Sequence, residues 1–66
     1  MNIIANGKAR GVDEGETVAD FLSTLGWRPE WVVVEHNGEP LERRCFPDAV
    51  LHEGDRLEVA RAVAGG

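Results

Sequence analysis

Between residues 17 and 27 the apolar positions of "TVADFLSTLGW" fall at Val18, Phe21, Leu22 and Leu25. That spacing (i, i+3, i+4, i+7) gathers all four on one face, so the segment is predicted to be a short amphipathic helix with Leu25 in its apolar stripe. Thr17 stands where an N-cap is needed. Asp20, three residues later, completes a reciprocal capping box and sets a negative charge at the positive end of the helix dipole. Gly26 suits a left-handed C-cap, and Pro29 bars any continuation.

The rest of the chain is built of shorter segments. "NIIANGKARGV" holds two apolar stretches around Asn6 and Gly7, a pair that tolerates the positive φ of a type I′ turn, and so predicts a β-hairpin. "DEGE", residues 13–16, reads as a turn. "WVVVEHNGEPL" opens with three β-branched valines, which favour a strand. A second Asn-Gly pair follows at Asn37 and Gly38, and Pro40 then fits only a short or edge strand. "ERRCFPDAVL" shows no clean period and is predicted to be irregular, with a turn near Pro47 and Asp48. "HEGD", residues 52–55, is another turn, and "RLEVARAV" alternates as a last strand with Leu57 and Val59 inward.

One apolar helix stripe and one apolar sheet face bury each other most economically in two layers. The expected fold class is therefore α+β, a mixed sheet of four to five strands packed on one α-helix. No repeat, low-complexity tract or linker interrupts the order.

Size and charge narrow the functions open to such a fold. A 66-residue chain is one domain, buries only about 60 % of its unfolded surface, and has no room for a deep enclosed active site, so an enzyme is not expected. Twelve acids against seven bases leave a net charge of −5. Nucleic acid and an anionic membrane both select for Lys and Arg, so neither is an expected partner; a basic protein surface is. The single cysteine, Cys45, makes no internal disulfide and cannot build a four-thiolate cluster. The start, "MNIIANGKARG", has neither a basic n-region nor a long apolar run, and no stretch approaches the roughly 20 apolar residues of a membrane span. A cytoplasmic protein is expected.

The order of elements and four stretches of sequence carry a resemblance. "MNIIANGKAR", "GETVADFLSTLG", "VVVEHNGEPLERR" and "HEGDRLEVARAVAGG" together resemble the bacterial sulfur carriers of the ThiS and MoaD type, with the thiamin-pathway carriers nearest. The resemblance covers the whole chain and implies a ubiquitin-like β-grasp domain over residues 1–63 with a C-terminal tail, 64–66. It implies that the Gly66 carboxylate is adenylated by an E1-like (ThiF-like) enzyme that uses ATP, the chain itself binding no cofactor. The resulting thiocarboxylate would donate sulfur to a ThiG-like thiazole synthase. Molybdopterin, cysteine or tRNA thiolation are alternative destinations for the sulfur. A ubiquitin-like protein modifier joined through the same carboxylate is a further alternative, and a β-grasp binding module another.

Chemistry explains why such a tail ends in glycine. A carboxylate is a poor electrophile until one oxygen becomes part of a leaving group. Adenylation achieves this only if the carboxylate reaches the α-phosphate of ATP inside another protein. A Cβ on the last two residues would obstruct that approach, and glycine adopts backbone angles closed to other residues. Ala64, Gly65 and Gly66 span roughly 10 Å at about 3.3–3.6 Å each, and Ala60, Ala62 and Ala64 keep the approach slim.

The docking surface is expected on the sheet face away from the helix. If Val32 and Val34 face the helix, alternation turns Val33 and Glu35 outward, with Glu58, Ala60 and Ala62 outward on the last strand. Val33, Ala60 and Ala62 would then form an apolar patch rimmed by Glu35 and Glu58. The remaining chemistry-bearing residues read as structural. Cys45 beside Phe46 is a small packed hydrophobe. His36 and His52 lack metal-ligand spacing with each other or with Cys45, so no metal site is expected. Without a third orienting residue a thiol hydrolase is not expected either. His36 stands where an aliphatic residue would suit the strand, and Trp27 and Trp31 are expected to cap one end of a thin core.

Overall fold

The computed structural model of the chain describes residues 1–62. The boundary expected after residue 63 and the tail residues Ala64, Gly65 and Gly66 lie outside the described residues. Five strands form one mixed sheet: β1 (Asn2–Ala5), β2 (Lys8–Gly11), β3 (Val32–His36), β4 (Glu39–Leu41) and β5 (Arg56–Arg61), in the order β2-β1-β5-β3-β4. The central strand β5 runs parallel to β1 and antiparallel to β3, while the two hairpins β1-β2 and β3-β4 are antiparallel. The four-to-five-strand sheet on one helix expected from the sequence is thus a five-strand sheet.

The helix α1 (Val18–Thr24) crosses one face of this sheet. Its start follows the capping-box expectation: the Asp20 N–H donates to Thr17 Oγ1 at 3.1 Å, and the Thr17 N–H donates to Asp20 Oδ2 at 3.0 Å. Its end is a Schellman motif. Gly26 adopts φ +80°, its N–H bonds the Ser23 carbonyl, and the Trp27 N–H bonds the Leu22 carbonyl. Val18, Phe21 and Leu22 are buried. Leu25 is not: it is the C-cap residue, just past the last helical residue Thr24, and 37 % exposed.

The segment expected to be irregular, residues 42–51, contains a 3-10 helix over Arg43–Asp48 with Pro47 inside it. The expected turn at Pro47 and Asp48 is its last part. This segment carries Phe46 into the core at 2 % exposure, and Leu51 follows at 0 %. Ile3, Val32, Val34 and Leu57 complete that core from the sheet side, so the domain packs α1 and the 3-10 segment together against one sheet face. A second 3-10 turn, Pro29–Trp31, leads into β3. Of the two tryptophans expected to cap the core, Trp27 packs against it, but Trp31 is 48 % exposed at the sheet's rim.

Candidate functional site

The outer sheet face takes its shape from the register of β3 on β5. Val33 stands opposite Ala60 and Glu35 opposite Glu58, while the alternate pair Val34 and Val59 turns inward. Two neighbours on one strand point to opposite faces, so burial of Val32 and Val34 at 2 % and 4 % forces Val33 out to 57 % exposure. Val33, Glu35, Glu58 and Ala60 line a shallow depression of about 240 Å³, and Pro40 of β4, opposite Glu35 in the ladder, forms its side. Four of the five residues expected on this face are therefore brought together.

Ala62 is the exception. β5 ends at Arg61, and Ala62 sits past it, half-buried, its N–H donating to the Trp31 carbonyl at 2.7 Å. It lines a separate depression of about 310 Å³ with Glu30, Trp31 and Arg61. The bond to Trp31 fixes the point from which the chain continues toward residue 66.

Pro40 and Trp31 were missed from sequence. Trp31 closes the 3-10 turn just before β3, so its place at the rim follows from its bond to Ala62 and not from strand alternation. Pro40 required the hairpin register, which places it beside Glu35.

The electrostatics of the depression are one-sided. Glu35 and Glu58 face each other across neighbouring strands, and among the described residues neither forms an ion pair with a Lys or Arg. Like charges set directly opposite repel. The face thus offers an apolar centre and two uncompensated carboxylates.

His36, at the inward end of β3, is partly buried and pairs with an acid rather than with the core. Its Nε2 lies 3.0 Å from Asp55 Oδ2. An ionised carboxylate only accepts, so Nε2 carries the hydrogen. The same Asp55 accepts the His52 N–H at 2.8 Å and the Asn37 amide at 3.2 Å. Burial alone would raise the Asp55 pKa, but the bonds from His36, His52 and Asn37 outweigh it and leave the group below its ordinary 3.8. This network ties the β3-β4 turn to the turn before β5. Cys45 is half-buried beside Phe46, and among the described residues no three His, Cys, Asp or Glu side chains are placed to hold a metal ion.

Comparison with known proteins agrees with this geometry. The model of a family described as "ThiS family" matches residues 3–66. The crystal structure of a thiamine biosynthesis protein (ThiS) from Geobacter metallireducens superposes with a TM-score of 0.84 at 40 % identity, over the whole of both chains. The solution structure of a thiamine biosynthesis protein from the same organism gives 0.78 at 40 % identity, over all of this chain and 88 % of that one. Among curated proteins, a thiazole synthase of Magnetococcus marinus is 36 % identical over all 66 residues, and one of Paramagnetospirillum magneticum 30 %. The chain spans about a fifth of the length of these two relatives. No described helix is long and apolar enough to cross a membrane.

Proposed function

The chain belongs to the ThiS family, and from that premise we propose that it is a sulfur carrier whose Gly66 carboxylate is activated and thiolated by other proteins. In the proposed cycle the carboxylate attacks the α-phosphate of ATP in a ThiF-like adenylyltransferase and pyrophosphate leaves. A sulfur nucleophile then displaces AMP and leaves a thiocarboxylate on the chain. The domain is the substrate of these steps, not their catalyst; its contribution is a presented terminus and a docking face.

The observation that carries the reading is the whole-chain match to ThiS structures at 40 % identity together with the Val33–Ala60 face beside the outgoing end of β5. The acidic rim of that face, Glu35 and Glu58, suits a partner that presents an apolar centre ringed by Lys and Arg. The sulfur acceptor we propose is a ThiG-like thiazole synthase. Two proteins named thiazole synthase contain a segment similar to this chain over a fifth of their length, which supports a carrier and a synthase acting together.

Intact mass tests the proposal. Incubation with ATP, a ThiF-like enzyme and a sulfur donor is expected to raise the mass by one sulfur-for-oxygen exchange, and deletion of Gly66 is expected to abolish the gain. An isopeptide-linked conjugate in place of a free thiocarboxylate would instead identify a protein modifier. An unchanged gain in a variant carrying Ala at 65 and 66 would remove the argument for a glycine tail.

A further inference from the structure

α1 is seven residues long and ends at Thr24, just before Leu25. There a cleft of about 260 Å³ lies between the sheet and the helix. Ala5, Asn6 and Val59 line it from the sheet side, and Phe21, Leu25 and Trp27 supply apolar lining from α1 and the segment after it. The opposite rim carries Lys8 and Arg10. The register pairs Ala5 with Lys8 and Ile3 with Arg10, so both cations lie on the inner side of β2, two residues apart.

Three features of this cleft go together. Lys8 and Arg10 are two of only seven cations on a chain of net charge −5, and among the described residues neither pairs with a carboxylate. β2 is exposed at all four positions and is an outer strand, so one side of its backbone has no strand beside it among the described residues. The cleft volume falls below the roughly 300–1,000 Å³ typical of small-molecule sites. It is large enough for one inserted side chain but not for a whole cofactor.

We propose that this cleft docks an acidic, extended segment of a partner protein, which lies along β2, sets carboxylates against Lys8 and Arg10, and inserts one large apolar side chain over Phe21 beside Trp27. The incoming strand supplies the match when its two carboxylates and its apolar residue are spaced two apart, because residues two apart share a face just as Lys8 and Arg10 do. The charge pattern also orients the encounter. An acidic segment is repelled by most of this acidic surface and attracted at this rim. The site lies on the opposite side of the sheet from Val33 and Glu35 and does not involve Gly66, so its failure and that of the carrier reading are separable.

Two-dimensional NMR with the capped pentapeptide Glu-Thr-Glu-Thr-Phe, whose two glutamates and phenylalanine share one face of an extended strand, tests it. Expected are shifts confined to the amides of residues 8–11, to Leu25 and to the Trp27 indole, with the Trp31 indole unmoved. The double variant Lys8→Gln, Arg10→Gln is expected to weaken binding at least tenfold, and so is about 1 M salt, where screening acts within roughly 3 Å. Both cations are exposed, so the variant keeps its fold; Leu25→Ser, with the cations intact, gives a second and independent loss. Equal binding of the glutamine counterpart peptide, tighter binding of indole acetate than of the peptide, or no shift at millimolar peptide would each overturn the proposal. The last outcome leaves Lys8 and Arg10 as guards of an exposed sheet edge.

Discussion

The side-chain amide of Asn6 closes both hydrogen bonds on one residue of the central strand: its Nδ2 donates to the Val59 carbonyl at 3.0 Å, and its Oδ1 accepts the Val59 N–H at 2.8 Å. Asn37 does the corresponding work from the other side. Its Oδ1 accepts the Arg56 N–H at 2.8 Å, and its own N–H donates to the Arg56 carbonyl. Both asparagines hold positive φ, +50° and +53°, at the first position of an Asn-Gly turn. The two hairpins therefore grip β5 through the residues that turn them, and β5 is the strand that leads toward the tail.

Asn6→Gly separates these roles, since glycine keeps the turn angle and removes the amide. Two net hydrogen bonds at roughly 0.5–1.5 kcal/mol each give an expected loss of about 1–3 kcal/mol by urea unfolding. Asn6→Asp is expected to cost at least as much, because it sets a carboxylate oxygen against the Val59 carbonyl. A neutral Asn6→Gly would reduce Asn6 to a turn residue.

The turns, the helix and its caps were legible because each is encoded locally. Thr17, Asp20 and Gly26 act within a few residues of themselves, and the strand pattern of Val32 to Glu35 is set by alternation. What was not legible depends on distant partners. Asn6 and Asn37 read as turn residues alone, since their bonds to Val59 and Arg56 span 53 and 19 residues. Leu25 obeyed the helical period yet is exposed, because the helix ends at Thr24 and Leu25 is its C-cap. The outward face was read through Val33, Glu35, Glu58 and Ala60, but Ala62 belongs to the rim with Trp31 because β5 ends one residue earlier.

Residues 43–48 resisted a periodic reading because a 3-10 segment buries one side chain, not a stripe. That side chain is Phe46, and α1 packs against its segment. Phe46→Ala is expected to cost about 3–5 kcal/mol. Against the roughly 5–15 kcal/mol of a typical small domain, this is a large fraction of the total stability. Thermal unfolding followed by circular dichroism checks it, and a loss under about 1 kcal/mol would contradict the packing role.

Asp55 gives the domain an acid sensitivity of definite sign. Its folded pKa lies below 3.8, so its contribution to stability is complete above 3.8 and is lost as pH falls through the folded value. Asp55→Asn is expected to destabilise the domain at neutral pH, where His36 and the His52 N–H lose their charged acceptor. The same variant is expected to flatten the fall in stability below 3.8. Urea midpoints measured on both sides of 3.8 supply the comparison. A parallel fall in both proteins would assign the acid sensitivity to other carboxylates.

The pair Glu35 and Glu58 makes opposite demands on folding and on docking. Directly opposed like charges cost roughly 0.2–1 kcal/mol in an antiparallel pair, so Glu58→Lys is expected to stabilise the isolated domain by about that amount. If the outer face docks a basic partner, the same change is expected to slow association with the adenylyltransferase and to weaken the salt dependence of its rate. Val33→Asp, which leaves the opposed acids in place, is expected to weaken binding through the apolar centre with little effect on stability, since Val33 is 57 % exposed. Stability by urea unfolding and association by stopped flow separate the two effects. A Glu58→Lys domain that is more stable and docks unimpaired would show that the repulsion is retained for something other than this interface.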